Sequence, residues 1–343
     1  MYKKLFGITI CITASLLFVQ AFGQDLKADN MLLLQRSYGG WPKHINGKGI
    51  KYEKEFTPEE KSIIASQIND DDATIDNDAT SKEIWYLATA YKQFNNPKYL
   101  TAVENGIRYL LKAQYANGGW PQFYPDKKMY RAEITYNDNA MVNAMRVLQA
   151  VTLKEKDLDV VNSELEAPCA KAIDKGVECM LKTQIKVNGK LTAWCQQYNE
   201  ITLQPAKARS YELPSICSAE SVGIINFLMT LPNPKQEIRD AISASIEWLQ
   251  AVKIVGYKVI VAPAPESLEG KDKKLVQDAS STIWARFYEI ATNRPFFCDR
   301  DGIIKYSLAE IGYERRNGYA WYGTWPTRVL DKKYDKWLRK NGK

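Results

Sequence analysis

The strongest constraint on the fold of this 343-residue chain is a phrase that it uses twice. Leu33-Leu34-Gln35 followed by Gly39-Gly40-Trp41-Pro42-Lys43 returns as Leu110-Leu111-Lys112-Ala113-Gln114 followed by Gly118-Gly119-Trp120-Pro121-Gln122, with Trp41 and Trp120 79 residues apart. Self-similarity at a fixed spacing marks a repeat architecture, whose units cannot bury their apolar faces alone. A degraded third copy runs from Leu181-Lys182-Thr183-Gln184 to Ala193-Trp194-Cys195-Gln196, and Trp248-Leu249 opens a candidate fourth without the tryptophan loop. Each copy reads as a helix end entering a Gly/Trp/Pro turn.

Helical periodicity dominates between these turns. Ile84, Leu87, Ala88 and Tyr91 fall at i, i+3, i+4 and i+7, the spacing of one buried helical face. Thr80 and Glu83 have the form of a capping box at its start, and Asn96-Pro97 ends it. A second helix is expected over 101–113, stopped by Asn117-Gly118-Gly119. A third is expected over 140–151 behind Asn137-Asp138-Asn139, whose side chains suit an N-cap. Further helices fit 170–183, 219–229, 235–252 and 279–292. Asp278 to Pro295 echoes Asp78 to Pro97, which supports the last of these. Helical hairpins of this kind close into an α/α toroid whose inner helices share one direction. The polar segments before those helices (76–78, 137–139, Ser218 and Asp278) are then expected to line one cleft, on the positive ends of the helix dipoles.

Residues 1–23 read as a leader rather than as fold. Lys3 and Lys4 precede an apolar run, and Ala21-Phe22-Gly23 forms a small-residue cleavage site. The run is too short for a membrane span, and Cys11 within it does not suggest a lipid anchor. The expectation is one unit over 24–343, secreted or periplasmic, without a stable membrane anchor and monomeric. Removing the two lysines lowers the net charge from +7 to +5. A basic exported protein most often meets an anionic polymer or surface, and no basic helix, zinc spacing or RNP-type pattern points to nucleic acid. The five remaining cysteines (Cys169, Cys179, Cys195, Cys217 and Cys298) lack zinc spacing, and either a disulfide or buried free thiols would suit them.

The chemistry is bounded by one histidine, His44, placed in a Gly/Trp/Pro turn where it reads as solvent-facing. A Ser-His-Asp machine and a histidine metal site are thereby disfavoured. What remains is carboxylates, oxygen-bound cations and basic side chains. Asp76-Asn77-Asp78 and Asn137-Asp138-Asn139 are compact oxygen clusters that suit either helix caps or Ca2+. Trp41, Trp120 and Trp194 could stack on sugars, but their regular recurrence favours packing between units.

These residues sit in longer stretches that resemble the family 10 polysaccharide lyases, which are pectate lyases. The stretches are GGWPK (39–43), TIDNDAT (74–80), NGGWPQFYP (117–125), ITYNDNAM (134–141), AWCQQY (193–198), LQPAKARSYELPS (203–215) and FCDRDG with YSLAEIGYERRNGYAWYG (297–323). The resemblance implies an all-α dominated, incomplete (α/α)3 toroid with irregular loop segments, and endolytic, Ca2+-assisted anti-β-elimination of polygalacturonate. It also implies Asp76 and Asp138 as calcium-associated carboxylates with Asn77 beside them, Arg209 as the catalytic base, and Arg286 and Arg300 as binders of substrate carboxylates. One departure stands out: family members often carry a Gly-rich, His-containing stretch where this chain reads DKKMYRAE (126–133).

The chemistry suits those roles. Removing the C5 proton, α to a uronate carboxylate, builds carbanion character that neutralising the carboxylate stabilises. Ca2+ does so as a Lewis acid while the polyanion supplies some of its oxygen ligands. Arginine suits bidentate carboxylate recognition better than lysine, although Arg286 and Arg300 also suit ordinary ion pairs. An arginine base is unusual; a divalent cation about 6 Å away opposes the guanidinium charge by on the order of 5 kcal/mol, which brings deprotonation within reach at alkaline pH. The alternative for Arg209 is a polyanion clamp with another group as base. Rival classes are an inverting glycoside hydrolase using Asp76 and Asp138 and a non-catalytic uronan-binding protein. A prenyltransferase or terpene cyclase is disfavoured by the leader and by the lack of zinc ligands or an Asp-rich motif.

Overall fold

The computed structural model describes residues 25–341; the expected leader lies outside the described residues. Ten α-helices carry the described chain: α1 Leu26–Leu34, α2 Pro58–Ser66, α3 Ser81–Phe94, α4 Pro97–Ala113, α5 Ala140–Leu153, α6 Glu166–Thr183, α7 Ser218–Leu228, α8 Gln236–Ala251, α9 Tyr313–Gly318 and α10 Tyr334–Asn341. Strands are mostly two-residue pairs, so the chain is helix-dominated as the periodicity predicts. The pairs α3/α4, α5/α6 and α7/α8 pack as hairpins. Their first helices touch in the order α3, α5, α7, and their second helices in the order α4, α6, α8. None of the helices is long and apolar enough to cross a membrane.

The repeated phrase locks these hairpins together. Trp41, Trp120 and Trp194 are fully buried, and each indole Nε1 donates to a carbonyl of the helix before it, at Met31, Leu110 and Met180, over 2.7 Å. The repeated glutamine reaches forward: Gln35, Gln114 and Gln184 donate through Nε2 to the carbonyls of Ala102, Ala172 and Ala241 in the next unit, at 2.8–2.9 Å. Buried polar groups need such partners, so the same bonds satisfy the tryptophans and glutamines and fix the spacing of the units. The turn must be glycine: Gly118 has φ +92°, and a Cβ there would lie 2.0 Å from the Lys175 carbonyl oxygen. Tryptophan as packing rather than sugar platform is therefore the observed role.

The fourth copy does have its tryptophan. Trp284 Nε1 donates to the Leu249 carbonyl at 2.8 Å, and Tyr288 accepts from the Ala285 amide as Tyr198 does from that of Cys195. A long antiparallel hairpin, Ile254–Pro263 with Lys271–Ala285, is inserted between the helix and its tryptophan. This corrects the helix expected over 279–292. Residues 279–283 read Ala-Ser-Ser-Thr-Ile, and pairings such as Ile254 with Ile283 and Val255 with Thr282 override the apparent helical spacing. Asp278 consequently lies in the hairpin, where it pairs with Lys258 at 2.7 Å.

The expected helix caps are also replaced. Thr80 has φ +66° and makes no cap bond to α3; its hydroxyl donates to the Thr74 carbonyl and accepts from the Trp41 amide. Asn139 makes no side-chain cap bond to α5. All five cysteines of the described residues are free and buried. Burial raises the Cys169 thiol to about 12 and the Cys179 thiol to about 11, which leaves them unreactive.

Glu83, fully buried, accepts from Tyr52 rather than capping. Burial raises its carboxyl from 4.5 to about 7, against the opposing charge of Lys82. The folded state thus holds a proton that the unfolded chain releases, so stability is full below about pH 4.5 and declines as pH rises to about 7, by on the order of 3 kcal/mol. Glu83→Gln is expected to flatten this stretch of the stability profile, measured by urea denaturation across pH 4–8.

Candidate active site

Two short turns, Asp76–Asp78 before α3 and Asn137–Asn139 before α5, lie against each other. Each carries a left-handed residue at the same place, Asn77 at φ 50° and Asp138 at φ 50°. Asn and Asp tolerate this conformation better than most residues. The repeat therefore aligns Asp76 with Asn137, both buried, and Asn77 with Asp138, both exposed. Threonine sets the first turn: Thr74 donates to the Gln122 carbonyl and accepts from the Asp76 amide.

A cleft of about 480 Å³ opens over these turns, and Asp76, Asn77, Asp138 and Arg209 all line it. His44 also lines it, exposed as expected. Arg286 and Arg300 do not form its wall. Arg286 sits where the long hairpin ends, paired with Glu220 at 3.1 Å and set against the rings of Tyr319 and Trp325. Its charge nonetheless reaches Asp138, opposing the upward push of burial on that carboxyl. Arg300 is exposed and forked onto Glu314 at 3.0 Å through Nε and Nη2. It stands 5.9 Å from the Tyr211 ring, whose other cationic neighbours are Arg209 and Arg315. Ser218, expected in the cleft, is buried and donates to the Ala285 carbonyl instead.

The sequence reading missed the groups that balance these charges. Glu212 accepts from the Arg209 backbone amide at 3.1 Å, from its Nε at 2.7 Å, from its Nη2, and from the Tyr319 hydroxyl at 3.0 Å. Burial alone would lower the Arg209 guanidinium, but the Glu212 bonds and charge outweigh it and hold the group above ordinary arginine. Lys43, inside the GGWPK phrase, pairs with Asp76. Glu220, on the first turn of α7, lies behind Arg286 and is raised by burial. The spacing of Arg209 and Glu212 is a visible signal, since i, i+3 pairs of opposite charge recur locally; Lys43 with Asp76 and Glu220 with Arg286 have no local signal.

The donor set suits an oxygen-preferring cation. Although Asp138 is exposed as a residue, its carboxyl is raised first by the protein atoms that surround it in the cleft and further by the like charge of Asp76. Asn137 donates to Asp138 through Nδ2, which leaves its buried Oδ1 without a partner. Two carboxylates with the amide oxygens of Asn77 and Asn137 are hard donors of the kind Ca2+ takes. Among the described residues no cluster of three or more His, Cys, Asp or Glu could hold a metal by itself, so such a site needs amide and ligand oxygens as well.

Residues 35–330 match the pectic acid lyase family model, and the chain belongs to that family. Two solved structures are similar at 36% identity: a family 10 polysaccharide lyase from Cellvibrio cellulosa, TM-score 0.78 over 92% of this chain and 91% of that one, and an aspartate-to-alanine mutant of a family 10 polysaccharide lyase from the same organism, TM-score 0.79 over 92% of each chain. The mutant is in complex with trigalacturonic acid. No curated protein matches the chain.

The Arg286–Glu220 pair is the most enclosed ion pair near the cleft, with side chains 12% and 2% exposed. Glu220→Ala leaves that guanidinium without its countercharge and is expected to lower stability by about 3 kcal/mol, measured as a fall in the urea midpoint at constant m-value.

Proposed function

We propose that the protein is an exported pectate lyase that cleaves polygalacturonate endolytically by anti-β-elimination, with Ca2+ held by Asp76, Asp138 and the Asn77 amide. The observation that carries this reading is the convergence of Asp76, Asp138 and Arg209 on one cleft, in a chain whose structural relative binds trigalacturonic acid. Bound there, Ca2+ would neutralise the uronate carboxylate and so acidify the adjacent C5–H.

The chain's own residues then have distinct tasks. Arg209 takes the C5 proton; the C5–H electron pair becomes the C4=C5 double bond, the C4–O bond breaks, and the leaving oxygen is protonated by solvent. Glu212 occupies Nε and Nη2 of Arg209, and Nη1 has no protein partner among the described residues. Glu212 thus orients the guanidinium while opposing its deprotonation, which places the working range at alkaline pH. Lys43 offers Asp76 a resident cation that a divalent ion has to displace. Arg286 and Arg300 supply positive charge toward the substrate carboxylates, Arg286 from behind Asp138 and Arg300 from the far side of Tyr211.

Polygalacturonate with Ca2+ is expected to yield unsaturated uronate ends, followed by their ultraviolet absorbance, with no product after chelation. Saturated ends that survive chelator would identify a hydrolase instead. Arg209→Ala is expected to lower kcat by about a thousandfold, the scale of a lost general base. Glu212→Gln removes the charge that holds Arg209 up, so its pH profile of kcat is expected to move toward lower pH.

A further inference from the structure

The loop over residues 126–133 supplies a guanidinium that no other residue fully occupies. Residues 126–133 fold over the cleft, with the Gln122 and Phe123 amides donating to the Arg131 carbonyl at 3.0 and 3.4 Å. Gln197 adds a bond of 3.4 Å to the Tyr130 carbonyl. Asp126, 7% exposed, accepts from the Lys128 amide and from Arg131 Nη1 at 2.6 Å. Arg131 then lies 4.6 Å from the centre of the Phe123 ring, which Lys43 approaches to 5.7 Å from the Asp76 end. Arg131, Phe123, Lys43 and Asp76 all line the same cleft as Arg209.

We propose that Arg131 binds a free carboxylate of the substrate at a uronate subsite beside Asp76, with Phe123 as the ring that sets the guanidinium plane. The proposal rests on the lyase reading for its substrate class. The other arginines near the cleft have less to offer. Arg209 is forked onto Glu212, Arg300 onto Glu314 and Arg36 onto Asp72, and Arg286, though its Nε is unpartnered, is only 12% exposed and stands outside the cleft wall. Arg131 commits one nitrogen to Asp126 and keeps its remaining N–H groups without protein acceptors among the described residues. Its side chain is 43% exposed, so a ligand can reach it. Burial pushes the Asp126 carboxyl up, but the bonds from Arg131 and the Lys128 amide, with the charges of both residues, together outweigh it and hold the carboxyl below its ordinary value. That charge fixes one edge of the guanidinium and leaves another for a planar anion, the bidentate geometry that arginine provides and lysine does not. A methyl-esterified residue lacks the charge and one acceptor oxygen, so this contact selects unesterified units.

The test uses the full mature chain, trigalacturonate as the titrated ligand and polygalacturonate as the substrate. Arg131→Gln is expected to weaken trigalacturonate binding by calorimetry, and to raise KM, by about tenfold, the scale of one charge-assisted bond, with kcat changed less than about twofold. Arg131→Lys keeps a charge opposite Asp126 and guards against misfolding; it is expected to bind more weakly than wild type and more tightly than Arg131→Gln. An unchanged Kd in either variant with an unchanged melting temperature overturns the proposal, as does a fall in kcat at constant KM. Wild-type protein that binds trigalacturonate yet makes no unsaturated product refutes the lyase reading alone, and the Kd comparison still decides the role of Arg131. Wild type that does not bind trigalacturonate refutes the subsite.

Discussion

The rest of the structure depends on a pair of bonds repeated along the chain: an indole N–H reaching back to the preceding helix and a glutamine amide reaching forward to the next unit. Each tryptophan brings a large apolar surface into the core together with one donor that must be satisfied, and losing such a bond inside a protein costs about 1–3 kcal/mol. Both bonds together tie each hairpin to the next at a set spacing. That spacing sets α3, α5 and α7 in contact, and with them the turns that precede α3 and α5. The carboxylates of Asp76 and Asp138 share a cleft because the tryptophan turns also bond the segments that carry them, Trp41 to Thr74 and Thr80 and Trp120 to Thr135.

In and around the cleft the recurring theme is charge held against countercharge. Lys43 faces Asp76, Arg209 faces Glu212, Arg286 faces Glu220 and Arg131 faces Asp126. Half-buried ions of this kind persist only when paired, and pairing also holds each guanidinium plane in a set direction before any substrate arrives. A polyanionic ligand meets this arrangement from the open side, where one edge of Arg131 and Nη1 of Arg209 still lack protein acceptors among the described residues.

Most helices were legible because a face buried along its whole length prints its 3.6-residue period into the sequence. The helix expected over 140–151 runs Ala140–Leu153, and that over 235–252 runs Gln236–Ala251. The failure over 279–292 has the opposite cause. Strand pairing with residues 254–263 is a contact across the chain, and it shifted Trp284 away from the helix it serves. The missing caps have a related origin: Thr80 and Asn139 sit at positive φ, which turns their side chains away from the helix start, and that of Thr80 is used across the fold instead.

The sequence by itself determined the repeat, the helix-dominated class and the acidic turns of Asp76 and Asp138, because recurrence, period and clustering are local properties of a chain, while Arg209 was implied by the family resemblance of the stretch around it. Tertiary structure alone decided which charges meet. Lys43 finds Asp76 across 33 residues, and Arg286 finds Glu220 from the far side of an inserted hairpin. Ion pairs are fixed by distance in space, and distance in space is set here by how the tryptophan turns pack one hairpin on the next.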